Sequence, residues 1–246
     1  AIRQLRRHSA APNVTVLIAP GTYPLTQPLI LTAEDSFTTW KAAGRAKPVH
    51  SGGRVLNGTW SAPAKPGAPW TMALPAQTPR FNQLFVSGER ATRAREPEWG
   101  SYFQMEAELP APHTGRGFIY RGHDLTPLVG QGGAHGAELV VYNSWQASRR
   151  NIAAVNASSR SVLLTAGAAI AIEPYANSGS RYYAENFAAA CDSPGEWYHD
   201  LAASTLLWQP RHAAEDPHGL EFVAPIVAGD LLLLDGKPPQ SRGHLG

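Results

Sequence analysis

Two groups of carboxylates stand close together in the chain: Glu96 with Glu98, and Asp192 with Glu196 and Asp200. Paired carboxyl groups are what glycoside hydrolysis needs. One protonates the leaving oxygen, and the other acts as nucleophile or activates water, at separations of roughly 5–5.5 Å or 6.5–9.5 Å. In a strand, Glu96 and Glu98 would face one side, but Pro97 between them interrupts a regular strand. Their alternative role is a loop ion pair with Arg93 or Arg95. Asp192 precedes Ser193-Pro194-Gly195, where a carboxylate can accept hydrogen bonds from turn amides. Beyond that turn, alternation predicts Trp197 inward, with Glu196 and Tyr198 facing the other way, toward the rim of a sugar site. Glu196 and Asp192 are therefore the candidate acids, with Tyr198 and Glu96 as sugar contacts.

Arg93 and Arg95 share one side of a strand by the same alternation. A guanidinium is a rigid donor fork that matches a carboxylate. A uronic acid would supply one; an internal partner such as Glu96 or Asp192 would serve equally. Trp99 and Trp145 are candidate stacking platforms. The nine histidines are scattered, and neither their spacing nor their number makes a metal site. No Gly-x-Ser-x-Gly elbow, phosphate loop or dinucleotide fingerprint is present. The expectation is a site without metal or cofactor. The single cysteine, Cys191, excludes an intramolecular disulfide and reads as a small buried apolar residue.

The elements that must position these residues are short. The 246 residues include 23 Gly and 21 Pro, which favours turns over long helices and argues against a coiled coil or helical bundle. Hydrophobic residues make up 43%, but 38 of them are Ala, so fewer side chains can build a core than that share implies. A net charge of +2 gives no basic excess for a polyanionic partner, which disfavours nucleic acid. No apolar run reaches the ~18 residues of a membrane span. The first nine residues carry Arg3, Arg6 and Arg7 without a hydrophobic block, so no signal peptide is read there. The same stretch could form the end of an amphipathic helix with Ile2 and Leu5 on one face.

Val14–Ile18 is a β-branched strand, and Gly21 can take the positive φ of a tight corner in Pro20-Gly21-Thr22-Tyr23. Leu29–Leu31, Pro48-Val49 and Val55-Leu56 continue the extended pattern. Residues 61–79, rich in Pro, Ala and Gly, read as a long loop. Residues 83–95 read as a hairpin turning at Gly88-Glu89. The runs 138–145, 152–155 and 161–165 form an antiparallel meander. Residues 166–172 and 182–191 fit helix or strand equally. Glu196–Tyr198, Leu206–Trp208, Phe222-Val223 and Leu231–Leu234 are extended.

This succession resembles a known family. Val14–Leu31 with Pro20-Gly21-Thr22-Tyr23 looks like the first coil of pectin-lyase-like right-handed parallel β-helix proteins, and Gly52-Gly53-Arg54-Val55-Leu56 with Trp60 looks like the second. Gln83–Gly88, Arg93–Pro97, Trp145 before Arg149-Arg150, Glu185-Asn186, Asp192–Tyr198 and Trp208-Gln209-Pro210 then follow in the order of β-helix glycoside hydrolases. The likeness is to the N-terminal half of proteins such as glycoside hydrolase family 141, whose activities include α-L-fucosidase and xylanase.

The resemblance implies a mainly β fold: the start of a right-handed parallel β-helix carrying an inserted antiparallel β-rich domain. Residues 1–60 would form a helix cap and first coils, 61–222 the insertion, and 223–246 the return to the coils. It implies a monomeric part of a secreted carbohydrate-active enzyme acting on cell-wall oligo- or polysaccharide, with no nucleic-acid or membrane partner. The main catalytic acids would lie in later coils beyond residue 246. A non-catalytic carbohydrate-binding module and a polysaccharide lyase are the alternatives. The lyase would need an acidic Ca2+ site and a basic proton acceptor, and no dense acidic cluster is seen.

Overall fold

The computed structural model describes residues 3–4, 13–130, 136–143, 146–167, 180–227 and 229–235. Most of the N-terminal helix expected over residues 1–9, Trp145, and residues 168–172 of the ambiguous apolar run lie outside them. The chain divides into two compact units, residues 1–55 with 224–246, and residues 56–223.

The first unit is built from parallel pairs. β1 (Val14–Ile18) pairs with β4 (Thr38–Ala42), and β2 (Gly21–Pro24) pairs with β5 (Pro48–Ser51). β3 (Leu29–Thr32) pairs with β22 (Leu232–Asp235). Partners in the first two pairs are 24 and 27 residues apart (Val14 with Thr38, Gly21 with Pro48). β3 instead finds its partner across the whole of the second unit, Leu29 beside Leu232. Gly21 opens β2 at a φ of +147°, the corner geometry expected of it. A 3-10 turn at Ala33–Asp35 follows β3. Thr32 caps it, accepting from the Glu34 amide at 3.3 Å while Asp35 accepts from the Thr32 amide at 2.8 Å. β4 has no counterpart in the sequence reading, because Thr-Thr-Trp-Lys-Ala carries no clean apolar alternation. Between β5 and β6 (Gly53–Val55), Gly52 meets the returning chain. A Cβ there would lie 2.3 Å from Leu231 Cδ2 and 3.2 Å from Val227, so a larger residue would push the Leu231 side chain aside.

The second unit contains a closed barrel. Its strands are β13 (Phe103–Glu108), β14 (Gly117–Tyr120), β15 (Glu138–Asn143), β16 (Gln146–Asn156), β17 (Ser161–Leu164) and β18 (Arg181–Glu185). They pair antiparallel in the ring β18-β13-β14-β17-β16-β15, and β15 returns to β18. Closure removes the exposed edges of a sheet. The sequence dictates the filling: residues two apart face the same side. Phe118 with Tyr120, Leu139 with Val141, Val162 with Leu164, and Tyr182 with Ala184 are all buried in one core. The expected meander is β15-β16-β17. The residues that fitted helix or strand begin as β18, then turn through a 3-10 segment at Ala188–Ala190.

Beside the barrel runs a five-stranded sheet, ordered β11-β19-β20-β8-β7. Its members are β7 (Trp60–Ser61), β8 (Trp70–Ala73), β11 (Thr92–Arg93), β19 (Glu196–Asp200) and β20 (Thr205–Trp208). β8 corrects the reading of residues 61–79 as one long loop. Its Trp70 and Met72 find cross-strand partners in Trp208 and Leu206, so a strand forms despite the Pro and Gly around it. β19 is buried on both faces. Trp197 and His199 stack on Phe81 with ring centroids 5.3 and 4.4 Å away, while Tyr198 joins the barrel core.

The expected hairpin is present but short. β9 (Phe85–Val86) and β10 (Glu89–Arg90) are joined by Ser87 and Gly88, both at positive φ. The chain then enters β11, parallel to β19, and β12 (Arg95–Glu96), antiparallel to β18. β21 (Phe222–Pro225) places Phe222 and Val223 opposite Val86 and Phe85.

Barrel closure leaves no room at Gly117. A Cβ there would lie 2.1 Å from the Val162 carbonyl oxygen and 2.7 Å from Leu109. The Gly117→Ala variant should lose more than roughly 2 kcal/mol of stability. Urea unfolding checks this, and a loss under ~0.5 kcal/mol would mean the β14–β17 spacing is not tight.

Candidate functional site

Glu138 and Glu185 stand directly opposite each other on β15 and β18. Both are buried. Like charges in that position repel and destabilise the pair. Arg93 resolves the conflict from β11: its Nη1 donates to Glu138 Oε2 at 2.6 Å and to Glu185 Oε1 at 2.8 Å. Arg149 Nε lies 2.9 Å from Glu185 Oε1, and Arg80 Nη2 lies 2.9 Å from Glu138 Oε1. Three guanidiniums thus serve two carboxylates. Arg93 is 9% exposed, and among the described residues its buried Nε has no hydrogen-bond partner.

Arg95 is placed differently. It is 4% exposed, and its Nε and Nη2 donate to the carbonyls of Pro97 and Ser101 at 2.9 and 2.8 Å. The guanidinium lies 3.7 Å from the centre of the Tyr183 ring, a cation–π contact. Trp99 and Tyr102 lie farther off, at 5.6 and 5.7 Å. These interactions tie the Glu96–Ser101 loop to β18.

Arg93 and Arg95 line one cleft of about 400 Å3, together with Arg90, Arg149, Trp99 and Tyr183. The alternation argument placed the two arginines on one side of a single strand. They share the cleft, but from two strands that pair in different sheets. The internal partner offered by the sequence reading is also corrected. Arg93 pairs with Glu138 and Glu185, not with Glu96 or Asp192, because the barrel brings β15 and β18 under β11.

Glu196 is 2% exposed, and its carboxylate accepts from two backbone amides, Arg95 N at 3.1 Å and Ser193 N at 3.2 Å. It joins the β12 segment to the Ser-Pro-Gly turn. Burial pushes its pKa up to about 7, against the pull of those amides. Asp192 is exposed, and the turn's Ser193 amide is held by Glu196 instead. Tyr198 is corrected from rim to core: it is 4% exposed within the barrel cluster, because the barrel packs against that face of β19.

Glu96 is half-buried, and its pKa is raised, first by burial and then by the charges of Asp192 and Glu98. The structure therefore does bring Glu96, Glu98 and Asp192 near one another. Glu98 accepts from the Ser193 hydroxyl rather than pairing with arginine. Trp145 lies outside the described residues. Glu138, Arg80, Arg90 and Arg149 were missed as site residues. The available signal was a carboxylate heading the otherwise apolar run Glu138-Leu-Val-Val-Tyr.

These features define a mainly β protein with an arginine- and aromatic-lined cleft. No family model matches the chain, and no curated protein matches it. Among solved structures, a protein described as a glycoside hydrolase shares the fold, with a TM-score of 0.77 and 23% identity. The match covers 96% of this chain and 42% of that one. The chain thus has a glycoside hydrolase-like fold and spans less than half the length of that neighbour.

Removing Arg93 would take away the most buried cation from two facing carboxylates, leaving Glu138 to Arg80 and Glu185 to Arg149. The Arg93→Met variant should lose about 3–5 kcal/mol, and adding Glu138→Gln and Glu185→Gln should recover part of it. Chemical denaturation measures both, and a loss under ~1 kcal/mol would remove the bridge from its supporting role.

Glu196 makes a pH-dependent contribution of definite sign. Its folded pKa lies above its ordinary 4.5, so it favours folding at low pH, and that contribution is lost as pH rises to about 7. His199, which burial lowers to about 4, works in the opposite sense. The informative quantity is therefore the stability difference between wild type and Glu196→Gln. It should shift against wild type as pH rises from 4.5 to about 7. A flat difference would show that burial does not hold the proton.

Proposed function

We propose that this chain is the front part of a carbohydrate-active protein, a glycoside hydrolase acting on cell-wall oligo- or polysaccharide. The observation that carries the reading is the fold likeness to a glycoside hydrolase across 96% of the chain. On this reading the first unit is two turns of a right-handed parallel β-helix. The three parallel pairs in chain order support it. So does the near-universal right hand of parallel crossover connections. The second unit is then an antiparallel insertion between β6 and β22. Kinship with glycoside hydrolase family 141 belongs to the same proposal, as do an extracellular setting and a monomeric state.

The chemistry would be acid/base hydrolysis by two carboxyl groups. Glu196, with both oxygens on backbone amides, acts in this reading as a positioning group for the cleft wall. Glu96 and Asp192 are the described carboxyls better suited to touch a sugar, one half-buried with a raised pKa and the other exposed. The main acid pair belongs to the further length that such a protein has beyond the part matched here. The engaged state of Glu196 also favours a second reading, a glycan-binding unit without turnover.

The full-length protein, incubated with xylan, pectic and fucosylated polysaccharides, should release reducing ends. Asp192→Asn should lower the rate if Asp192 belongs to the site, and an unchanged rate removes it. Binding without release would favour the second reading. Unsaturated, ultraviolet-absorbing products would favour a lyase. Neither binding nor release on any glycan would sink the proposal.

A further inference from the structure

We infer that the cleft between Arg90, Arg93, Arg95 and Arg149 takes a negatively charged sugar, bearing a carboxylate or a sulfate ester. This rests on the carbohydrate reading above and specifies its ligand.

The argument is one of charge. The whole chain carries a net +2, so no general basic excess places arginines here. Yet four guanidiniums line a cleft of about 400 Å3 whose lining includes one carboxylate, Glu185. Behind it, Arg80, Arg93 and Arg149 share Glu138 and Glu185, leaving one positive charge in excess among the described residues. Arg95 adds another. It is buried, and its side-chain hydrogen bonds go to the neutral carbonyls of Pro97 and Ser101. Among the described residues, no carboxylate forms an ion pair with Arg95 or with exposed Arg90.

Buried charges are ordinarily paired, because a solitary one loses its hydration without compensation. A cleft that keeps a guanidinium 4% exposed, with no carboxylate partner among the described residues, is completed by an anion from outside. Nearby Glu96 does not fill that role: among the described residues it forms no ion pair with Arg93, Arg95 or Arg149, whose partners are Glu138, Glu185 and the carbonyls of Pro97 and Ser101. The guanidinium fork suits planar carboxylate and tetrahedral sulfate oxygens alike.

The aromatic residues argue for a sugar over a bare anion. Trp99 is 77% exposed at the lip and Tyr183 forms part of the wall. Apolar ring faces suit the C–H surface of a pyranose while the guanidiniums take its charged substituent.

The test uses titration calorimetry with three oligosaccharides of equal length: a galacturonate oligomer, a sulfated galactan oligomer and a neutral xylan oligomer. At least one anionic oligomer should bind roughly tenfold or more tighter than the neutral one, with an affinity that falls as salt rises. The stronger anionic arm identifies the carboxylate or the sulfate. Arg90→Glu, an exposed change that should leave the melting temperature unaltered, should abolish most of that preference. Arg149→Gln should weaken it. Equal binding of neutral and anionic oligomers overturns the inference while leaving the carbohydrate reading intact. An anionic preference unaffected by Arg90→Glu and Arg149→Gln also overturns it, by placing the site elsewhere. A DNA oligonucleotide bound as tightly as the anionic sugars overturns it too. Failure of every glycan, neutral and charged, to bind or react counts against the carbohydrate reading itself.

Discussion

The seam between β15 and β18 turns on one guanidinium nitrogen. Arg93 Nη1 sits between the carboxylates of Glu138 and Glu185, which the closure of the barrel forces into opposition. Without a cation between them, the β15–β18 seam would hold two buried like charges. With it, the repulsion becomes the tie that draws β11, and with it the five-stranded sheet, onto the barrel. A buried pair of this kind contributes little net stability compared with apolar packing. What it supplies is register, since a slip of one residue would turn the carboxylates away from Arg93.

The same contact shapes the cleft. Arg93 faces the carboxylates and lines the opening at once, and Arg149 and Tyr183 flank it. The next strand, β12, starts at Arg95, whose backbone amide is held by buried Glu196 and whose side chain lies across Tyr183. The residue most suggestive of catalysis in the chain is thus spent on backbone amides, and the arginines beside it are left with more positive charge than the described carboxylates match. Structure and candidate function meet in that imbalance. Such an imbalance is costly against buried apolar side chains and useful at a surface that receives an anion.

Much of the architecture was legible in the chain. Leu139 with Val141, and Val162 with Leu164, lie in runs read as strands of the meander and show the period-two alternation of inward-facing residues. The hairpin expected to turn at Gly88-Glu89 turns one residue earlier, at Ser87-Gly88, and its second arm ends at Arg90, before the chain passes to β11 and β12. The less legible strands were those whose stability comes from partners. Thr38–Ala42 has little apolar alternation and is held by Val14–Ile18. Trp70–Ala73 sits among Pro and Gly and is held by Thr205–Trp208. Tyr198 was expected at a rim because alternation assigns two faces but cannot say that both will be covered.

For the site, the sequence alone determined residue chemistry and local direction: that Arg93 and Arg95 were suited to carboxylates, that Asp192 headed a turn, and that no long apolar span was present. Only the tertiary structure decided which charges meet. Glu138 lies 45 residues from Arg93 and Glu185 lies 92 away. Nothing in local spacing brings them together, because the contact exists only once the barrel closes and β15 and β18 pair. Burial is decided at the same step. A glutamate in an extended segment reads the same whether it faces water or a core, and packing alone made Glu196 a buried clamp and left the arginines of the cleft in excess.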